Sequence, residues 1–242
     1  MYDEPKYLIA GDKGVILEFG QEINENINNK VRSMNIAINT SSIEGIIEII
    51  PTYRSILIQY NPLIISIENL ISQLKKIYIN IENIALPSPN IIEIPTIYGN
   101  QYGPDIEFVA WHNNITEDEV IKLHSSVDYL IYMLGFTPGF TYLGGLPKEL
   151  ETPRLSTPRT KIPAGSTGIA GKQTGIYPIE SPGGWQLIGK TPLRLYDSNR
   201  KPPIVLNPGD YLRFVPIDEK DYKRILELIE NDNYEIIIKC KE

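Results

Sequence analysis

Apolar residues recur along the first third of the chain with two different periods. Residues 6–10 and 14–19 read as short strands joined by Gly11-Asp12-Lys13-Gly14, whose composition suits a tight turn, so a hairpin is expected. Ile23, Ile27, Val31, Met34 and Ile38 then follow at helical spacing with polar residues between them, which predicts one buried stripe on a helix. Residues 46–50 and 56–60 are β-type runs parted by Pro51, Arg54 and Ser55, and Ser66 can cap a helix carrying Ile67, Leu70, Ile71 and Leu74. This order of strand, helix, hairpin and helix suits a small α+β domain over residues 1–85, an antiparallel sheet covered on one face by two helices.

Pro87 and Pro89 disfavour both helix and central strand over residues 86–90, which makes this stretch the expected linker. A second domain is expected over residues 91–217. Its opening strand leads to Gly99 and Gly103-Pro104, then to two helical pieces, the second with Thr116 as cap and Glu119 three residues on. Over residues 135–216 short β-like runs are broken every few positions by Gly or Pro, the pattern of a compact barrel or sandwich. Residues 218–242 read as a C-terminal extension: a helix over 218–230 with Leu226 and Ile229 apolar, then a strand over 234–239 whose pairing the pattern does not reveal.

With 242 residues, 42% of them hydrophobic, the chain is long enough to bury a core, as one large or two small domains. A net charge of −7 with no long Lys/Arg run argues against nucleic acid or an anionic membrane surface as partner. Cys240, the only cysteine, offers neither an intrachain disulfide nor a thiol set for structural zinc, and no His or carboxylate cluster has ligand spacing, so no metal is expected. Met1 is followed by Asp3, Glu4 and Pro5 in place of a basic segment leading to an apolar one, and the Ile-rich runs are too short to span a bilayer; a cytoplasmic location is expected.

Residues 184–191, GWQLIGKT, satisfy the phosphate-loop spacing, but Pro182-Gly183 before and Pro192 after deny it the buried strand and helix N-terminus that a working loop needs. Residues 164–168, AGSTG, lack the first Gly of a nucleophile elbow and precede strand-like sequence. Two imidazoles exist, His112 and His124; His124 is the better candidate for chemistry, although a helical histidine is more often a packing residue. Thr152-Pro153-Arg154 and Thr157-Pro158-Arg159 repeat a Pro-fixed guanidinium, suited either to a carboxylate or phosphate ligand or to surface ion pairs. Residues 162–185 mix glycines with Ser166, Gln173, Tyr177 and Glu180, which can orient a polar ligand, or simply build the turns of a small barrel. Glu180 could act as general acid or base, or stand solvated.

GFTPGFTYLGGL (135–146), TPRLSTPRTKIPAGS (152–166) and QTGIYPIESPGGWQLIGKTPLRLYD (173–197) together resemble the carboxyltransferase-type family that contains the B subunit of 5-oxoprolinase. The same family has been called allophanate hydrolase subunit 1 and includes an inhibitor of a sporulation histidine kinase. Lys190 stands where relatives commonly have Arg, and this creates the phosphate-loop match. The resemblance implies a small α+β N-terminal domain followed by a mainly β, cyclophilin-like barrel. It implies partner subunits C and A, with ATP as co-substrate, in an assembly that opens 5-oxoproline to glutamate after phosphorylation of the lactam oxygen; the chain alone would be inactive. Carried onto matching positions, it makes Arg154, Arg159, Ser166, Gln173, Tyr177 and Trp185 candidate substrate-binding residues, and His124 and Glu180 candidates for proton transfer. Two alternatives share the resemblance: a regulatory protein docking on a histidine kinase, and a subunit of a urea- or allophanate-processing enzyme.

Overall fold

The structure, a computed structural model, describes residues 1–241. The chain forms two compact units, Met1–Ser88 and a second from Pro89 onward.

In the first unit, strands β1 (Lys6–Ile9), β2 (Gly14–Glu18), β3 (Ile46–Pro51) and β4 (Ser55–Tyr60) form one antiparallel sheet in the order β1-β2-β4-β3, with helices α1 (Glu25–Ser41) and α2 (Ile67–Ile79). Period-2 alternation decides which face is buried: Val15 and Leu17 on β2 and Ile56, Ile58 and Tyr60 on β4 enter the core with Ile27, Val31, Met34 and Ile38 of α1 and Leu70 and Leu74 of α2. Side chains set both helix starts, since Asn24 accepts from the Ile27 amide and Ser66 from the Asn69 amide. The expected stripe is one residue shorter than its spacing suggested. Ile23 precedes the Asn24 cap and is 56% exposed, because the cap ends the helical register before reaching it.

The second unit is mainly β. It comprises β5 (Asn90–Tyr98), α3 (Ile106–Asn113), α4 (Glu117–Ser125), β6 (Asp128–Leu134), β7 (Thr141–Gly144), β8 (Arg159–Ile162), β9 (Ser166–Ala170), β10 (Gln173–Ile176), β11 (Ser181–Gly183), β12 (Gln186–Lys190), β13 (Tyr211–Pro216), α5 (Glu219–Glu230) and β14 (Ile238–Cys240). The main sheet runs β10-β9-β12-β5-β13-β6-β7. Its two ends approach one another, with Gly175 of β10 leaving room for the Thr141 carbonyl of β7 (a Cβ there would lie 3.2 Å from that oxygen), so the sheet closes almost into a barrel. An α+β unit followed by a barrel-forming unit is the fold class that the family resemblance implied, and of the two architectures that the Gly/Pro-broken pattern left open, barrel or sandwich, the sheet forms the barrel. Strands β8 and β11 pair outside the barrel.

Long strand β5 organises the rest. It pairs in parallel with β13 along one edge, and its other edge is shared by β12 at Ile97 and Tyr98 and by β14 at Asn90 to Ile92. Thus the terminal strand returns to the start of its own unit. The preceding helix buries Tyr222 and Ile225, while Leu226 and Ile229 are half-buried. Residues 186–190 of the phosphate-loop match are strand β12, with no helix following. Among the described residues no helix is long and apolar enough to cross a membrane.

Candidate functional site

On one side of the barrel, β7 and the loop before it face the segment that joins β11 to β12. Phe140 and Tyr142 are two residues apart, which places both rings on one face of the strand, opposite Leu143 in the barrel interior. Tyr177 and Trp185 complete a ring cluster: Phe140 lies edge-on to Tyr142, Tyr177 and Trp185 with centroids 5.3, 5.7 and 5.6 Å away. Edge-to-face contacts at these separations add to burial and fix the ring orientations. Phe136 stands at the rim, 63% exposed and edge-on to Phe140, with φ of 61°, a left-handed backbone that a bulky residue rarely adopts.

These rings, with Arg154, Pro158, Pro182, Gly183 and Gly184, enclose a cleft of about 350 Å³. That volume is near the small end of ligand pockets. Gly183 is sterically required, because a Cβ there would lie 2.3 Å from the Tyr177 hydroxyl. Burial pushes the Tyr177 phenol up to about 12, against the opposing influence of Arg154, of a backbone hydrogen bond at Trp185 and of Arg159, so the hydroxyl stays protonated at neutral pH. Arg154 supplies the one formal charge among the residues that line the cleft. Its guanidinium lies 6.0 Å from the Trp185 ring centroid, and the side chain makes no ion pair with any described residue. A flat apolar wall beside a single unpaired guanidinium is suited to a small ring-bearing carboxylate.

The other candidates from the sequence are placed elsewhere. Arg159 is not beside Arg154 in the cleft; it forms an ion pair with Asp105 at 2.7 Å and donates to the Trp185 carbonyl. Ser166 is buried at the start of β9 opposite Lys190, and Gln173 opens β10; neither lines the cleft. Glu180 is on the surface, 2.9 Å from Lys161 with both side chains more than half exposed, an arrangement of small energetic weight. His124 is fully buried in α4, with Nδ1 2.8 Å from the Tyr98 hydroxyl and Nε2 2.7 Å from Thr174 Oγ1. Thr174 and Gly175 point to opposite faces of β10, and it is Gly175 that approaches Trp185, so the histidine is across the sheet from the cleft. Both its ring nitrogens are engaged, which leaves none for a ligand.

Phe136, Phe140 and Tyr142 line the cleft and Asp105 pairs with Arg159, yet none of the four is among the candidate site residues that the sequence offers. Their signal was present in the GFTPGFTY run, where aromatic residues at alternate positions follow a Gly/Pro loop, and in the Gly103-Pro104-Asp105 turn. Among the described residues there is no group of three or more His, Cys, Asp or Glu side chains placed to hold a metal ion.

Residues 5–206 match the family described as carboxyltransferase domain, subdomain C and D, and the chain belongs to that family. A Bacillus subtilis protein, named as the B subunit of 5-oxoprolinase, is 44% identical over 222 residues, covering 88% of this chain and 92% of the relative. A conserved uncharacterized protein of Pyrococcus horikoshii, known from its crystal structure, is 49% identical with a TM-score of 0.54, covering 90% of this chain and all of that one. The Kluyveromyces lactis urea carboxylase, 22% identical, shares the fold with a TM-score of 0.79 over 98% of this chain and 24% of its own.

Proposed function

We propose that this chain is the B subunit of an ATP-dependent 5-oxoprolinase, acting with subunits C and A to open 5-oxoproline to glutamate. The observation that carries this reading is the 44% identity, over nearly the full length of both chains, to the B subunit of a bacterial 5-oxoprolinase. The cleft is compatible with it. 5-Oxoproline is a five-membered lactam bearing one carboxylate; Arg154 would hold the carboxylate, and Trp185, Tyr177 and Phe140 would flank the ring. One guanidinium matches one carboxylate better than it matches a triphosphate, so ATP is assigned to another part of the assembly. Amide resonance makes the lactam carbon a poor electrophile; transfer of the terminal phosphoryl group of ATP to the lactam oxygen would release ADP and give an imidoyl phosphate. Water would add to its carbon, the C–N bond would break with the nitrogen leaving protonated as the free amine, and a second water would hydrolyse the resulting acyl phosphate to glutamate and inorganic phosphate. Tyr177, held protonated, would act in this scheme as a neutral hydrogen-bond donor rather than as a base.

The chain alone is expected to give no turnover. Mixed with subunits A and C, it should support formation of ADP and glutamate that depends on 5-oxoproline, and omission of any one component should stop both products. Full activity from A and C without this chain, or no activity from the complete mixture, would overturn the reading.

A further inference from the structure

Three contacts reach the backbone that carries Trp185, and a fourth ties together the side chains of the two residues that make them. Arg159 Nη1 donates to the Trp185 carbonyl at 3.3 Å, and Arg159 Nη2 is 2.7 Å from Asp105 Oδ1. Asp105 Oδ2 accepts from the Leu187 amide at 2.6 Å, and the Asp105 amide donates to the Leu187 carbonyl at 2.9 Å. The main chain is therefore held at residue 185 and at both polar groups of residue 187. Asp105 occupies the N-cap position of α3, where an Asp side chain ordinarily accepts from the first helical amides, but it caps none of them. Its carboxylate is committed to β12 and Arg159 instead. Two residues earlier, a Cβ on Gly103 would fall 2.0 Å from the Ile188 carbonyl oxygen, so only glycine lets this turn pack directly on the strand. The carboxylate is 13% exposed and the guanidinium 31%, which shields the pair from the solvent competition that weakens open surface pairs.

We infer that Asp105 and Arg159 are a positioning pair for the cleft: they set the backbone of Trp185, and through it the ring against which Arg154 and the ligand rest. This deepens the 5-oxoprolinase reading and rests on it. The second Pro-fixed arginine thus acts on the ligand through Trp185, and the two arginines have separate tasks.

The test uses Asp105→Asn, which preserves shape and an acceptor for the Leu187 amide but removes the ion pair, and Arg159→Lys, which preserves charge but loses the second donor that reaches Trp185. In the three-subunit assembly Asp105→Asn should raise the KM for 5-oxoproline about tenfold with kcat changed less than about twofold, and Arg159→Lys should raise it by a smaller factor. Trp111 and Trp185 are the only tryptophans, so in a Trp111→Phe background the fluorescence of the isolated chain reports Trp185 alone. Either variant should shift that emission to the red and increase its quenching by acrylamide. An unchanged KM with unchanged emission, or a loss confined to kcat as from a smaller folded fraction, overturns the inference; if Asp105→Asn does not fold, Arg159→Lys decides by the same readings. A wild-type assembly without 5-oxoproline-dependent ATP hydrolysis would sink the functional reading instead, and the emission comparison, which needs no substrate, would still decide whether the pair sets Trp185.

Discussion

Replacing Arg154 with alanine is expected to raise the KM for 5-oxoproline in the assembled enzyme by about a hundredfold, while the thermal midpoint of the chain stays within about a degree. The side chain is exposed, makes no ion pair with a described residue and touches the fold mainly through the face of Trp185, so little native packing is lost with it. For a ligand carboxylate the loss is large. A charge-assisted hydrogen bond contributes about 1.5–3 kcal/mol, and a carboxylate left on an aromatic wall without its cation also loses water it cannot replace. Arg154→Lys should recover part of the affinity, because an ammonium restores the charge without the planar fork that pairs two oxygens and stacks on indole. Steady-state kinetics at varied 5-oxoproline distinguish these cases, and Arg154→Ala with unchanged KM would remove the cleft as the carboxylate site.

That expectation separates two arginines that the sequence presents as equivalent. The repeat Thr-Pro-Arg shows that two guanidinium groups follow prolines five residues apart, but not that Arg159 begins strand β8 and meets Asp105, 54 positions earlier in the chain. Patterns of local origin were legible. The hairpin of β1 and β2, the stripe from Ile27 to Ile38 and the Ser66 and Thr116 caps all depend on residues within a turn or two of one another. Pairings between segments far apart in the chain were not, and β14 returning to β5 across nearly the whole second unit is the clearest of them. The cleft shows the same division. Tyr177 and Trp185 stood out within one Gly-rich segment, whereas Phe140 and Tyr142 come from β7 and the loop before it, and only the approach of β7 to β10 brings the two groups together. Glu180 illustrates the opposite limit, since its type suits acid–base chemistry but its position beside Lys161 on the surface does not serve the cleft.

Acidification is expected to destabilise the second unit through His124, by about 1.4 kcal/mol for each pH unit below 6.5 down to about pH 3. Thr174 Oγ1 donates its proton to the Gly168 carbonyl at 3.0 Å, so towards His124 it can only accept, which places the imidazole proton on Nε2 and makes Nδ1 the acceptor of the Tyr98 hydroxyl. Burial pushes the Tyr98 phenol well above its usual value and keeps it a donor. A second proton on His124 would need Nδ1 to donate where it now accepts, against the ring of Phe214 with centroids 4.3 Å apart and with no ion pair to a carboxylate among the described residues, and burial accordingly lowers the imidazole to about 3. Between pH 6.5 and 3 the unfolded chain binds the proton and the folded chain does not, so stability falls as pH falls through this window and no further below it. His124→Gln keeps a donor for Thr174 but deprives Tyr98 of its acceptor, and should cost about 2–4 kcal/mol at pH 7.5. It should also flatten the dependence of unfolding free energy on pH between 6.5 and 4.5 by up to one proton, as read from urea titrations of both proteins. Equal slopes in wild type and variant would show that the imidazole is charged in the folded chain, and would return His124 to consideration as a group that moves protons.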